Sequence, residues 1–120
     1  MPQSARILVI DDDSDIRDVL AQFLHGAGYQ VDAVGTAAAA LSQIEGQTYD
    51  LVVTDAKLPD GSGVAIADLA KARGMAAVIL TGYAAETRPG GPQHDYLFKP
   101  IRAEEFARAV ERYIAAPKRS

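Results

Sequence analysis

The sequence predicts an α/β protein built on a doubly wound parallel sheet, and three observations carry that prediction. Short apolar runs rich in β-branched residues occur at residues 6–10, 51–54 and 76–81. Strands buried on both faces read this way. Segments with apolar residues at helical spacing, bounded by capping residues and glycines, lie between them. Strands and helices therefore alternate, which implies right-handed crossovers with helices on both faces of the sheet. A chain of 120 residues accommodates one compact domain, taken as 1–120.

Composition narrows the class. At 48% hydrophobic and 23% charged residues, the chain has enough apolar side chains for a core and no run near the length of a membrane span. The first residues, Met1 to Arg6, lead into a strand without a signal-peptide layout. There is no cysteine, so thiol catalysis, disulfides and thiolate metal sites are excluded, and a cytoplasmic location is expected. A formal net charge of -4 argues against a nucleic-acid surface.

Taken in order, Arg6 to Ile10 forms the first strand and Asp11-Asp12-Asp13 follows it. Ser14 is the expected N-cap of the first helix, with Asp15 and Asp18 in its first turn. Ile16, Val19, Leu20, Phe23, Leu24 and Ala27 make its apolar stripe, and Gly26 and Gly28 end it. Tyr29 to Val34 is a weaker strand. Thr36 caps a second helix through the alanine run 37–40 to Ile44, closed by Gly46. The strand ending at Asp55 follows, then a turn over Pro59 to Gly63 and a helix over Val64 to Ala70 that stops at Gly74. Ala76 to Thr81 and Asp95 to Phe98 are the fourth and fifth strands. A last helix spans Ala103 to Ala116, with Phe106, Val110, Tyr113 and Ile114 turned to the core.

In such a sheet, ligands bind at the carboxyl ends of the strands. Asp11, Asp12, Asp55, Thr81 and Lys99 all fall on that edge. Singly, each has a plain reading: Asp55 as the cap of a loop, Asp11 to Asp13 as an acidic helix start, Lys99 as a solvated charge. Together they suit one chemistry. Three close carboxylates repel and call for a hard divalent cation with oxygen ligands, such as Mg2+. A lysine and a hydroxyl beside them supply the positive charge and donor that a phosphoryl group needs. His25 suits the end of the first helix, and His94 is read as a surface or loop residue.

Val9-Ile10-Asp11-Asp12-Asp13, Asp55 with Leu58-Pro59-Asp60-Gly61-Ser62-Gly63, Leu80-Thr81-Gly82 and Tyr96-Leu97-Phe98-Lys99-Pro100 together resemble the receiver domain of two-component response regulators (CheY-like). The resemblance covers essentially the whole chain. It implies a flavodoxin-like (βα)5 fold with strand order 2-1-3-4-5. It also implies phosphotransfer to Asp55 from a sensor histidine kinase or phosphotransfer protein. Mg2+, with Mn2+ or Ca2+ able to substitute, would be held by Asp12, Asp55 and the backbone carbonyl of Lys57, with Asp11 acting through water. Lys99 would pair with the phosphoryl group, Thr81 would bond one of its oxygens, and Tyr96 matches the aromatic switch position. Lys57 and Tyr83 occupy the two variable positions lining the approach of water. The resemblance further implies a cis Lys99–Pro100 bond. It casts the chain as a signalling switch, a monomer or weak dimer acting through protein contacts, with no direct nucleic-acid or membrane partner and no dedicated enzymatic role.

The chain departs from that pattern between Thr81 and Lys99. Receivers of the ordinary kind carry about one helical turn more here, roughly 3.6 residues. Residues 82–94 instead hold two prolines flanking two glycines, which cannot sustain a helix interior. A fourth helix shortened or replaced by a loop is expected over 82–94. The Thr81-Gly82-Tyr83 run with this gap resembles a divergent subgroup of stand-alone receivers paired with HWE-type sensor kinases. Ala76 and Ala77 stand where that subgroup has Pro-Phe. Two other readings compete. One is a receiver cut from a larger hybrid kinase or transcription regulator. The other is a Mg2+-dependent aspartyl phosphatase, disfavoured because Lys57 occupies the position where such enzymes place a second Asp.

Overall fold

A computed structural model of the chain describes residues 5–82 and 90–115. The described elements, in chain order, are β1 (Arg6–Ile10), α1 (Ser14–Gly26), β2 (Gln30–Val34), α2 (Ala37–Gly46), β3 (Leu51–Asp55), β4 (Lys57–Leu58), β5 (Gly61–Ser62), α3 (Gly63–Ala72), β6 (Ala76–Thr81), β7 (Asp95–Phe98) and α4 (Ala103–Ala115). Five strands form one parallel sheet in the order β2-β1-β3-β6-β7, with β4 and β5 a separate antiparallel pair. Without that small pair the order is 2-1-3-4-5, as the sequence predicts.

Alternation along the strands builds a core on each face, because successive side chains point to opposite sides. Leu8, Ile10, Val52, Ala77 and Ile79 pack under α2 and α3 with Ala40, Ile44, Ile66 and Ala70. Ile7, Val9, Leu51, Val53, Val78 and Leu80 pack under α1 and α4 with Leu20, Leu24, Phe106 and Val110. The central strands β1, β3 and β6 are thus apolar on both sides, which is why they read as unbroken apolar runs.

Helix starts are set by side-chain oxygens that satisfy free N–H groups. Asp13 caps α1, accepting from the amides of Asp15 and Ile16. The expected cap, Ser14, is instead the first helical residue, because Asp13 has the extended backbone of a cap and its carboxylate accepts the first free amides. Asp15 lies in the first turn and Asp18 falls beyond it. Thr36 caps α2 as expected, accepting from Ala39. Its two earlier donors go elsewhere: Ala37 and Ala38 both donate to the Asp60 carboxylate, at 2.7 and 3.0 Å. Ser62 caps α3.

Two further expectations are corrected. Val19, assigned to the apolar stripe of α1, is 64% exposed, and Ala27 lies outside the helix at the surface. The stripe that reaches the core is Leu20 and Leu24, with Ile16 and Phe23 at its margins. His94 is buried, at 5% exposure, rather than a surface residue. Residues 83–89, the centre of the expected loop and the site of Tyr83, lie outside the described residues. The described part of that stretch, 90–94, consists of turns and a bend. No helix among the described residues is long and apolar enough to cross a membrane.

Candidate functional site

Strand register brings the predicted residues together. Ile10 pairs with Thr54, Asp55 with Leu80, and Thr81 with Phe98. The residues at or just past these strand ends are Asp11, Asp12, Asp55, Thr81 and Lys99, so adjacent strands deliver them to one edge. Backbone bonds tie that edge: Asp11 N–H donates to Val34 O at 3.1 Å, Ala56 N–H to Leu80 O at 2.9 Å, and Lys99 N–H to Thr81 O at 2.8 Å. The Lys99–Pro100 bond is cis.

Asp11, Asp12 and Asp55 each place a carboxylate oxygen within 4.8 Å of the others. Asp11 is fully buried, Asp55 half-buried and Asp12 exposed. The Lys99 ammonium bridges the inner two, at 3.0 Å from Asp11 Oδ2 and 3.1 Å from Asp55 Oδ1. The second Asp11 oxygen, Oδ1, accepts from the Asp13 amide at 3.0 Å. Both Asp11 oxygens are therefore engaged, whereas no side-chain hydrogen bond holds the Asp12 carboxylate among the described residues. Three oxygen donors this close together, one of them on an exposed residue, fit a hard divalent cation.

A family model, the response regulator receiver domain, matches residues 7–111. The chain belongs to the response regulator receiver family. Receivers of this family are switches in two-component phosphorelay signalling rather than dedicated enzymes, and they generally bind Mg2+ at an acidic pocket. The receiver is 37% identical to the DNA-binding transcriptional regulator NtrC of Rhizobium meliloti, over 96% of this chain and 25% of that protein. It is 36% identical to an uncharacterised 14.6 kDa protein from the sodA1 3′ region of Leptolyngbya boryana, over 92% of this chain and 90% of that protein. A CheY-like receiver domain protein from Methanospirillum hungatei superposes with a TM-score of 0.86 at 30% identity, covering 94% of this chain and 95% of that one. Against the longer regulators, then, the receiver spans about a quarter of their length.

Electrostatics in the receiver's acidic edge are set by burial and crowding. Burial pushes the Asp55 carboxyl above its usual range, and the Asp11 charge pushes the same way, while Lys99 opposes both. For Lys99, burial by itself would lower the pKa; its bonds to Asp11 and Asp55 outweigh that and hold the ammonium above its usual range. The lysine thus stands in for part of the positive charge that three carboxylates demand.

The remaining predicted residues divide. Thr81 is buried at the end of β6, one strand from Asp55. Lys57 lies in β4 just past Asp55, with its side chain exposed. Tyr96 is not brought to the acidic cluster. Its hydroxyl accepts from the Gly90 amide at 2.8 Å and donates to the Gly91 carbonyl at 2.9 Å, and its ring stacks on Phe98.

Three supporting residues escaped sequence reasoning. Gly63 must lack a side chain, because a Cβ there would overlap the Asp55 carbonyl oxygen and crowd Thr54 Oγ1. Its amide donates to Ala56 O at 2.9 Å, so α3 starts directly beneath the acidic residue. Thr54, fully buried, donates its hydroxyl to the Asp55 carbonyl at 3.0 Å. The turn-forming segment Gly61-Ser62-Gly63 signalled the first of these only in part. His94 Nε2 bonds Asp68 Oδ1 of α3 at 2.7 Å, a pairing that no local spacing predicts.

Proposed function

We propose that this receiver accepts a phosphoryl group on Asp55 from a phosphohistidine of a sensor histidine kinase or phosphotransfer protein, and signals through protein contact. The observation that carries the reading is the Lys99 ammonium bridging Asp55 and buried Asp11 beside a third carboxylate, Asp12, that no side-chain hydrogen bond engages among the described residues. Asp12, Asp55 and the Lys57 carbonyl would hold Mg2+, with Asp11 acting through water because both its oxygens already have partners. Mg2+, when bound, offsets the negative charge on the transferring phosphoryl group.

An Asp55 carboxylate oxygen attacks phosphorus as the phosphorus–nitrogen bond to the histidine breaks, and the imidazole leaves with the bonding electrons. Lys99 then moves its ion pair from Asp55 to a phosphoryl oxygen, and the Thr81 hydroxyl donates to another. Such fixed donors supply most of what phosphoryl transfer requires of a protein. The acyl phosphate later loses its phosphoryl group to water, which restores the Asp55 carboxylate and releases phosphate. Tyr96 would relay the change, since a shift of its ring toward Thr81 would give up its bonds to Gly90 and Gly91. An HWE-type kinase as donor, a monomer or weak dimer as the working form, and a cytoplasmic location complete the proposal.

The same chemistry serves a receiver carried within a longer regulator, a reading favoured by the match to one quarter of NtrC. The test of the site is common to both. Acetyl phosphate with Mg2+ should add one phosphate mass to the parent and none to Asp55→Asn, which keeps its circular dichroism spectrum. Labelling of the variant at the parent's level would refute the assignment.

A further inference from the structure

Arg17 sits in α1, three residues after its start at Ser14. Its Nη1 donates to the backbone carbonyl of Asp11 at 2.9 Å. That carbonyl belongs to the peptide joining Asp11 to Asp12, so the bond fixes the plane from which the Asp12 side chain departs. On the other side, the Asp11 amide is fixed to Val34 O at the end of β2. Asp12 needs this indirect hold, because no side-chain hydrogen bond restrains its carboxylate among the described residues.

Gly35, which follows Val34, is part of the same device. A Cβ on Gly35 would lie 2.5 Å from Arg17 Nη1, 3.4 Å from its Cζ and 3.7 Å from the Asp11 carbonyl oxygen. The guanidinium therefore lies against the glycine, in space that any side chain would claim. Gly35 is not in the left-handed region, so its backbone conformation admits an alanine. What an alanine displaces there is the end of a flexible side chain, not the backbone.

We propose that Arg17 is a positioning residue for the Mg2+ site: through the Asp11–Asp12 peptide it aims the Asp12 carboxylate, and Gly35 keeps its place open. The proposal rests on the reading of Asp12 as a metal ligand. The bland alternative is that Arg17 only ties α1 to the sheet, in which case its loss costs stability and leaves metal binding alone.

The test is Mg2+ binding by isothermal titration calorimetry on the parent, Arg17→Gln, Arg17→Lys, Gly35→Ala, the Arg17→Gln/Gly35→Ala double variant and Asp12→Asn. Groups that orient metal ligands typically change affinity by about 10–100-fold when removed, and a weakening of about tenfold is expected for Arg17→Gln and for Gly35→Ala. Arg17→Lys should fall between parent and Arg17→Gln. The double variant should be no weaker than the weaker single, because both substitutions break one bond. In Mg2+-free protein, the Asp13 amide, which is bonded to Asp11, should exchange faster in both single variants. A lowered Tm with parental Mg2+ affinity would overturn the proposal, as would fully additive effects in the double variant. Gly35→Ala keeps the arginine and guards against misreading a folding defect of Arg17→Gln. If Asp12→Asn binds Mg2+ like the parent, the metal reading itself fails and takes this one with it. If Asp12→Asn loses binding while the Arg17 and Gly35 variants do not, only the role of Arg17 fails.

Discussion

A single exposed carboxylate shows how much one residue organises here. Asp60 accepts from the amides of Ala37 and Ala38, satisfying two free donors at the start of α2 from a turn more than twenty residues away. Those two amides hold its carboxyl below the usual range. A carboxyl whose pKa is depressed on folding contributes stability that is present above its unfolded value, about 3.9, and is lost as pH falls through the folded value. Asp60→Ala should therefore lower Tm at neutral pH, and thermal melts from pH 7 downward should show that gap narrowing below about pH 4. A gap of the same size at pH 3 would mean that the charge on Asp60 contributes nothing. At the acidic edge, Lys99 is the cation paired with the buried Asp11 carboxylate. Removing it would strand Asp11, which is fully buried, without its cation.

At the scale of elements, the segment 90–94 is fastened to α3 and to β7 by side chains. His94 bonds Asp68, and Lys71 Nζ donates to the Gln93 carbonyl at 2.7 Å. Val64, Asp68 and Lys71 recur at helical spacing and so share one face of α3. Gly90 packs so closely on His94, Tyr96 and Val64 that a Cβ would lie 2.6 Å from His94 Cδ2. Tyr96 closes the knot through its hydroxyl. Tyr96→Phe removes the acceptor of the Gly90 amide while leaving β7 paired with β6. Hydrogen exchange should then speed at Gly90 and stay slow at Leu80, which lies in the middle of the sheet. His94→Ala should loosen the same segment from the α3 side. Unchanged exchange at Gly90 in both variants would show that these bonds do not hold the segment.

Much of this was legible beforehand, and the reason differs by residue. The strand runs were readable because burial on both faces leaves no room for polar alternation, so Leu51 to Thr54 could only be a central strand. The acidic edge was readable because topology alone carries the residues after β1, β3, β6 and β7 to one side. Ser14 is not the cap because Asp13, one residue earlier, offers an oxygen that accepts from the amides of Asp15 and Ile16 and starts the helix there. Val19 fits the apolar spacing of α1, yet the stripe is wider than the surface that α1 buries. His94 is a loop residue as read, but its burial was not legible because its partner, Asp68, is distant in the chain.

For the whole molecule, one sheet shared by two cores should make unfolding a single event. Phe106 is buried beneath α4 and packs obliquely on Phe23 of α1, with ring centroids 6.2 Å apart. Its truncation opens a cavity between two helices on one face, and Phe106→Ala should cost about 3–5 kcal/mol. Urea melts followed through the methyl signals of Ile66 and of Val110, one from each core, should shift together. Separate transitions would mean that the faces unfold independently.

By itself, the sequence determined the alternation of strands and helices, the two-faced burial of the central strands and the gathering of Asp11, Asp12, Asp55, Thr81 and Lys99. Those follow from periodicity and chain order, which are local and countable. Only the tertiary structure decided that Asp60 accepts from the first two amides of α2, that Arg17 lies in the space left by Gly35, and that Asp68 receives His94. Each of these joins residues far apart in sequence, by a directional bond or by a close packing contact. Its partners are chosen by the angle at which packed elements meet, and no spacing along the chain encodes that angle.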